Sequence, residues 1–236
     1  MTLAAPTEHE RTLALLRGPD PLAIAPRLLG AVLRVGSAEG VVGVRLTEVE
    51  AYAGEVDPGS HAYRGRTART APMFEAGGLL YVYFTYGMHW CANLVTGAGG
   101  TAAAVLLRAG EVIQGADLAR ERREAGRKAG SAARRLPERD LARGPANLAR
   151  CLGLTGADSG APLDPAGRAA LVLAADPPGA ASHGTSPGRV RTGPRVGVAG
   201  PGGDAEAHPW RYWLAGEPTV SAYRPGATRR PRRTEA

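Results

Sequence analysis

Residues 41–52 (VVGVRLTEVEAY) place the strongest constraint on how this chain can fold. The valines and the alternation of apolar and polar residues are typical of a β-strand. Along such a strand Glu48, Glu50 and Tyr52 lie on one face, opposite Val49. Two carboxylates and a tyrosine cannot form a dry core face without partners. The face is therefore either a solvent-exposed edge or part of a site that activates water.

Two further strand patterns follow, at 79–86 (LLYVYFTY) and 88–95 (MHWCANLV), and Gly87 separates them. This spacing predicts a tight β-hairpin. Tyr83 and Tyr86 differ in parity and cannot share a strand face, so Tyr86 can protrude at the turn. A protruding ring can act as a wedge between stacked bases, whereas core packing or a plain turn position are the ordinary roles of such tyrosines.

The remaining patterns predict one α+β domain over residues 1–223, followed by a basic, disordered tail at 224–236. The apolar spacing predicts helices at 8–17, 25–35 and much of 116–152. Strands are expected at 102–109, 195–199, 210–214 and 218–223, with an irregular Pro/Gly/Ser-rich loop at 176–195.

The formal net charge of +7 favours a polyanionic partner. All but one of the 29 basic residues are arginine, which suits phosphate recognition, although GC-rich codon usage explains the same bias. The N-terminus lacks the apolar run of a signal peptide, and no segment reaches membrane-span length. These features predict a cytoplasmic, nucleoid-associated chain that is monomeric, with Cys91 and Cys151 free. His89 and Cys91 alone do not make a zinc site, so no metal is expected.

Several collinear segments resemble the alkyladenine (3-methyladenine) DNA glycosylase family. The run TEVEAYAGEVDPGSHAYRGRT is followed by MF, LLYVYFTYGMHWCANLV, AVLLRAGEVIQG, RDLARGPANLARCLGL, GPRVGVA and PWRYWLAGEPTVS. The resemblance covers roughly residues 20–223. It implies a curved, largely antiparallel, roll-like sheet with flanking helices and a protruding hairpin, and a bacterial base-excision-repair enzyme that acts on double-stranded DNA without a cofactor.

The resemblance assigns the general base to Glu50. A carboxylate beside a flipped nucleotide can deprotonate a water molecule, which then attacks the anomeric carbon of the sugar. Arg108 matches the arginine that helps to hold this water, although an ion pair with Glu50 or Glu48 is compatible with the same position. A carboxylate turned away from a tyrosine-lined cavity, with no space for water beside it, would contradict this assignment.

The resemblance also assigns the surroundings of the flipped base. Tyr52, His61 and Tyr83 match residues that form the pocket, and aromatic faces attract a cationic methylated purine. Asn93 matches an asparagine that disfavours guanine by crowding its exocyclic amino group. From the residues alone, His61 and Asn93 are equally compatible with structural roles.

Tyr86 matches the wedge that fills the gap left by the extruded nucleotide, and Met88 lies close to it in sequence. Arg66 and Arg69 match positions that approach the DNA backbone, although two solvated loop arginines explain the same pattern. The sequence departs from the family pattern at His89 and Trp90. It departs again at Asn147, where some relatives carry a lysine that could contact phosphate.

The single lysine, Lys128, lies far in sequence from these residues. A bifunctional glycosylase needs an amine nucleophile, so a monofunctional hydrolase without lyase activity is predicted. Two alternatives stay open at this point. One is a protein that binds lesions without cleaving DNA, and the other is a carbohydrate or nucleoside hydrolase that uses Glu48 and Glu50 as paired carboxylates.

Overall fold

A computed structural model describes residues 5–85, 87–125, 135–175 and 190–227. Its α-helices are α1 (Glu8–Leu16), α2 (Pro21–Ile24), α3 (Ala116–Glu124) and α4 (Pro145–Leu152). Its strands are β1 (Val32–Ser37), β2 (Gly40–Tyr52), β3 (Leu80–Thr85), β4 (His89–Val95), β5 (Ala104–Gln114), β6 (Ala169–Val172), β7 (Val190–Gly193) and β8 (Arg211–Leu214). Together they form one α+β domain, as predicted.

The strands form a single antiparallel sheet in the order β3-β4-β5-β2-β1-β6. The long strand β2 is its centre, because it pairs with β5 along one edge. Along its other edge β2 pairs first with β1 and then, at Glu48 to Glu50, with β8. Strand β7 extends the sheet beyond β8. The two glutamates therefore lie where β2 has a neighbouring strand on both sides, and neither edge of β2 is open there.

The pairing of β2 with β5 is irregular beside these glutamates. The register steps from Leu46 opposite Gly110 to Glu48 opposite Ala109, and Val49 then lies opposite Leu107. Thr47 of β2 and Arg108 of β5 thus have no opposite residue in the pairing of these two strands. Bulges of this kind redirect a side chain, and this one directs Arg108 towards the carboxylates of β2.

The main hydrophobic core lies between the sheet and the helices. It contains Leu16 of α1, Leu33 of β1, Leu46 of β2, Leu107 of β5 and Leu148 of α4, all fully buried. A smaller cluster beneath the β3–β4 hairpin is built around Met73 and Tyr81. Helix α4 packs against β4 and β5, and α3 packs against α4. The smaller cluster supports the cleft described below.

In the described residues the predicted helix at 8–17 is confirmed. The predicted strands are confirmed at 41–52, 79–86, 88–95, 102–109 and 210–214, and β5 extends to Gln114. The helix predicted at 25–35 is wrong. Only a 3₁₀ turn, Ala25–Leu28, is present before β1. Leu33 and Val35 are buried whereas Arg34 between them is exposed. This two-residue period belongs to a strand, and pairing of β1 with β2 and β6 stabilises it.

The strands predicted at 195–199 and 218–223 are also wrong. The strand lies at β7 instead, and Pro194 ends it because proline lacks the N–H that continues a ladder. Residues 195–199 form a turn in which Gly197 has a φ of 74°. In 218–223, Thr219 and Ser221 bond to side chains of β2 rather than to a neighbouring strand.

Parts of three predictions lie outside the described residues: 126–134 of the charged helical region, 176–189 of the irregular loop and 228–236 of the tail. Within the described region 116–125 and 135–152, α3 and α4 are separated by a 3₁₀ turn, Glu138–Asp140. At the start of the tail, the Arg224 carbonyl oxygen accepts a hydrogen bond of 2.9 Å from the Gly197 N–H. The domain limits of 1–223 and 224–236 stay a prediction. No helix in the described chain is long and apolar enough to cross a membrane.

Any side chain at position 110 is predicted to destabilise the fold, because a β-carbon on Gly110 would lie 2.3 Å from Cγ1 of Val44 and 2.5 Å from the Arg45 carbonyl oxygen. We expect Gly110→Ala to lower the free energy of unfolding by about 2 kcal/mol, since overpacking forces the backbone to shift. Gly36→Ala in β1 is the matched control, because its nearest contact is 3.8 Å, and it should change stability by about 0.5 kcal/mol or less. Urea unfolding measures both, and equal midpoints would contradict the prediction.

Candidate active site

A cleft of about 460 Å³ opens between the β3–β4 hairpin, β5, the start of α4 and the turn after β7. Five of the predicted site residues line it: Tyr52, His61, Tyr83, Asn93 and Arg108. Also lining it are Pro58, Gly59, Met73, Tyr81, Thr85, His89, Cys91, Leu106, Pro145, Ala146, Val196, Gly197, Val198 and Ala199. The structure therefore brings together residues from six separate parts of the sequence.

Glu50 lies directly behind the wall of this cleft and is fully buried. Its Oε2 accepts a hydrogen bond of 2.8 Å from the Tyr52 hydroxyl. Its Oε1 accepts one of 2.7 Å from the Val196 N–H and lies 3.3 Å from Nη1 of Arg108. All three partners line the cleft, although Glu50 itself does not. The carboxylate is thus held by three residues of the cleft wall, which separate it from the cavity.

Arg108 lies between two buried carboxylates. Its Nε donates to Oε1 of Glu48 at 2.8 Å, and its Nη1 lies beside Glu50. Burial opposes the charge of the guanidinium, but the charges of Glu50 and then Glu48 outweigh it and raise the pKa of Arg108. The arginine therefore remains a cation that both anions stabilise.

Glu48 accepts four hydrogen bonds and does not line the cleft. Besides Arg108, it accepts hydrogen bonds from Nε of Arg211 at 2.7 Å and from the Ser221 hydroxyl at 2.9 Å. The Ser221 N–H donates to its other oxygen at 2.6 Å. Two guanidinium groups occupy this carboxylate, so it is not placed to donate a proton to a substrate in the cleft. This geometry opposes the carbohydrate or nucleoside hydrolase alternative, which needs two active carboxylates.

Three aromatic rings form one wall of the cleft. His61 packs edge-on against Tyr83 with ring centroids 4.5 Å apart, and Tyr81 stacks on Tyr83 at 5.5 Å. His61 is an exposed residue, but partial desolvation of its imidazole, and then the charge of Arg69, lower the pKa of His61 to about 4. His61 is therefore neutral near pH 7, and this wall presents aromatic surface without a charge on the imidazole.

Tyr52 and Asn93 border the same space. Burial, and then the neighbouring charge of Glu50, hold the pKa of Tyr52 well above its usual value, so its hydroxyl remains a donor. Asn93, on β4, is buried and its Nδ2 donates to the Tyr81 carbonyl oxygen at 2.9 Å. This bond fixes the amide across the hairpin, opposite Tyr81 in the register.

The hairpin tip lies beside the cleft. Gly87 has a φ of 65°, a conformation that glycine adopts without strain. Met88 is 63% exposed and its N–H donates to the Thr85 carbonyl oxygen. Tyr86 lies outside the described residues, so its position as a wedge stays a prediction.

The two predicted DNA-contacting arginines both have local partners. Arg66 forms an exposed ion pair with Glu75 at 2.9 Å and lies 6.0 Å above the Phe74 ring. Arg69 lies 5.4 Å above the Tyr83 ring and is exposed. Exposed ion pairs contribute little stability, so Arg66 can exchange Glu75 for another anion. Arg69 instead supports the outer side of the aromatic wall.

Sequence reasoning missed several cleft residues. Tyr81 and Cys91 were not selected, yet they share strand parity with Tyr83 and Asn93 and lie on the same face of the hairpin. Alternation alone would have found them. The turn at 196–199 gave no comparable signal, because its pattern resembled a strand. Asn147 lies at the start of α4, where its side chain donates to the Arg143 carbonyl oxygen at 2.6 Å.

Both cysteines are buried and free, as predicted. Within the residues that the structure describes, no group of three or more histidine, cysteine, aspartate or glutamate side chains is placed to hold a metal ion.

Comparison with known proteins shows which family the sequence of this chain matches. The profile of the family described as Methylpurine-DNA glycosylase (MPG) matches residues 16–218. A protein of Leifsonia xyli subsp. xyli is 54% identical over 204 residues, covering 86% of this chain and 88% of the relative. A protein of Streptomyces avermitilis is 47% identical over 234 residues, covering 98% and 99%.

A Mycobacterium tuberculosis protein is 44% identical over 211 residues, covering 87% of this chain and 90% of the relative. All three relatives carry the name "Putative 3-methyladenine DNA glycosylase". The matched range contains every residue of the cleft described above. This chain belongs to the methylpurine-DNA glycosylase family.

Proposed function

We propose that this DNA glycosylase excises alkylated or deaminated purines, of the 3-methyladenine type named for its relatives, by flipping them out of the duplex and hydrolysing the N-glycosidic bond with water. The observation that carries the proposal is the placement of Glu50. Its fully buried carboxylate lies behind a cleft with aromatic walls and is held by Tyr52, Val196 and Arg108. Such a site combines a base with a slot of suitable size for one flipped purine.

In the proposed reaction, the bond between the anomeric carbon and the purine nitrogen breaks with its electron pair leaving on the purine. A positive charge develops on the sugar, and the Glu50 carboxylate offsets it. Water forms the new bond to carbon and loses a proton to Glu50. Alkylation assists this step, because a cationic purine leaves as a neutral base. A deaminated purine leaves as an anion, and the reaction balances when the proton that water lost is passed on to it.

Water must reach a carboxylate that the cleft wall covers. Each carboxylate oxygen can accept two hydrogen bonds, and among the described residues only the Tyr52 hydroxyl donates to Oε2 of Glu50. The second acceptor position of Oε2 is therefore the natural place for water. We propose that water binds there while Tyr52 keeps its hydrogen bond to Glu50.

The aromatic wall fits a purine that carries a positive charge. The faces of Tyr81 and Tyr83 are electron-rich, and they attract cations that have lost water. His61 is neutral at pH 7 and adds no repulsion. Asn93, fixed by its bond to Tyr81, is proposed to crowd the exocyclic amino group of guanine and so to protect normal bases.

The proposed DNA-binding surface surrounds the cleft. Tyr86 is proposed as the wedge in the duplex, with Met88 beside it, and Arg66 and Arg69 are proposed to contact phosphates. None of the residues that line the cleft in the described chain carries an amine. Water attack without strand cleavage is therefore the proposed outcome, since a lyase step needs an amine nucleophile.

Glu50→Gln should abolish most base release. The glutamine keeps the shape of the side chain but cannot accept a proton, and loss of a general base costs roughly 10²- to 10⁴-fold in rate. The measurement is the single-turnover rate of purine release from a duplex that carries one methylated purine. Glu55→Gln, which changes an exposed glutamate close in sequence, is the control and should retain the wild-type rate.

The same pair of variants separates an enzyme from a protein that only binds lesions. A binder has no need for a carboxylate at position 50, so wild type and Glu50→Gln would bind the damaged duplex equally and neither would release base. Base release by wild type, with unchanged duplex affinity in Glu50→Gln, is the result expected here. Release that persists undiminished in Glu50→Gln would remove the proposed role of this residue.

The affinity for a methylated duplex should not depend on titration of His61 between pH 5.5 and 8. Because the folded-state pKa of His61 is lowered to about 4, the imidazole gains its proton, and repels a cationic purine, only as the pH falls towards 4. His61→Gln and wild type should therefore have parallel pH profiles of duplex binding above pH 5.5. A loss of affinity near pH 6.5 that occurs in wild type alone would contradict the expectation.

Tyr86→Ala should slow excision from a fully paired site more than excision from a mismatched one. The wedge offsets the cost of unstacking, which is smaller when the base is already unpaired. Single-turnover rates on the two duplexes measure the difference. Equal losses on both substrates would count against the wedge.

A further inference from the structure

Arg195 is a fully buried arginine next to the cleft, and no step of the proposed reaction uses it. Its two terminal nitrogens each donate to one oxygen of Asp57 at 2.6 Å. The same nitrogens donate to the Ala51 carbonyl oxygen at 3.0 Å and to that of Gly202 at 2.8 Å. One guanidinium thus joins the end of β2, the segment after it and the turn that follows residue 199.

The guanidinium also lies between two aromatic rings. Its central carbon is 4.5 Å from the centroid of Tyr52 and 5.0 Å from that of Trp210. The space around it is closed, because a β-carbon on Gly59 would lie 2.4 Å from Nη2 of Arg195. Arg195 therefore cannot move without moving Tyr52 or the segment that carries Gly59.

The neighbours of Arg195 are the groups that hold Glu50. Tyr52, stacked on its guanidinium, donates to Oε2 of Glu50, and Val196, the next residue in the chain, donates to Oε1. These are two of the three groups that cover the carboxylate. The third, Arg108, is held separately by Glu48 and Ser221.

We infer that Arg195 is a positioning residue, which fixes Glu50 for reaction by holding the Tyr52 ring and the Val196 N–H in place. The inference rests on the proposed role of Glu50 as the general base. Arginine suits the task because its planar fork can bind both oxygens of Asp57, reach two carbonyl oxygens and stack on rings at the same time. A lysine at this position keeps the charge but has neither the fork nor the flat face.

Arg195→Lys tests the inference. We expect the single-turnover rate of base release from a duplex with one methylated purine to fall at least tenfold. The affinity for the undamaged duplex of the same sequence should change less than threefold, since Arg195 is buried and cannot touch DNA. With folded enzyme in saturating excess over the duplex, the observed rate constant is that of the folded molecules, and a partly unfolded fraction changes neither the rate constant nor the amplitude.

Gly59→Ala is the second variant, because it displaces the guanidinium without changing any charge. It should slow the same step and leave duplex affinity unchanged. In the double variant with Arg195→Lys the two effects should not add, since both act through the same contact. Arg120→Lys is the control: Arg120 is also buried and paired with acidic residues, but it lies on α3 and does not line the cleft.

The outcomes separate this inference from the proposed function. If Glu50→Gln is inactive while Arg195→Lys and Gly59→Ala both react within threefold of wild type, the positioning role is wrong and the proposed base stands. If Glu50→Gln remains active, the proposed function fails first. A rate loss in Arg120→Lys equal to that in Arg195→Lys would mean that any buried arginine matters for the fold, and it would overturn the assignment to Arg195.

Discussion

The guanidinium of Arg108, placed between the buried carboxylates of Glu48 and Glu50, is the interaction on which the site depends. Removing a carboxylate from water costs several kcal/mol unless a cation and hydrogen bonds replace the solvent. Here Arg108 and Arg211 supply the cations for the two anions. The bulge in the β2–β5 pairing makes this possible, because a regular ladder would give Arg108 a fixed partner and face. The irregular register is therefore needed for Arg108 to lie between the two carboxylates.

The two glutamates lie on the same strand face but have acquired different tasks. Glu48 is held on both oxygens by Arg108, Arg211 and Ser221, and it serves to anchor Arg108. Glu50 is held more lightly, and its partners belong to the cleft wall. The difference arises from what packs against each residue. Ser221, in the segment after β8, covers Glu48, whereas the turn after β7 covers Glu50.

Local pattern was sufficient to predict β2, the β3–β4 hairpin and the strand parity that directs Tyr83 and Asn93 into the cleft. It was not sufficient where the contacts are distant. The partner of Arg195 is Asp57, far away in the chain, and no local period reports such a pair. The valines of 195–199 resemble a strand, yet Pro194 and the positive φ of Gly197 prevent one. Likewise, alternation placed Glu48 and Glu50 together but could not decide between an exposed edge and a buried site.

The balance of charge around the cleft bears on how a damaged base is distinguished from a normal one. Arg195 is neutralised by Asp57, Arg108 lies between two carboxylates, and His61 is neutral at pH 7. These groups add no net positive charge to the wall, and the positive charge that lies against its rings is that of Arg69, 5.4 Å from the Tyr83 ring. A methylated, cationic purine is attracted to those ring faces, whereas a neutral purine lacks this attraction.

A deaminated purine has no such charge, so its recognition must depend on shape and on polar contacts such as that of Asn93. If the cleft accepts both classes, as proposed, selection against normal guanine must be steric, and the proposed source of that selection is the Asn93 amide, which is held by the Tyr81 carbonyl oxygen.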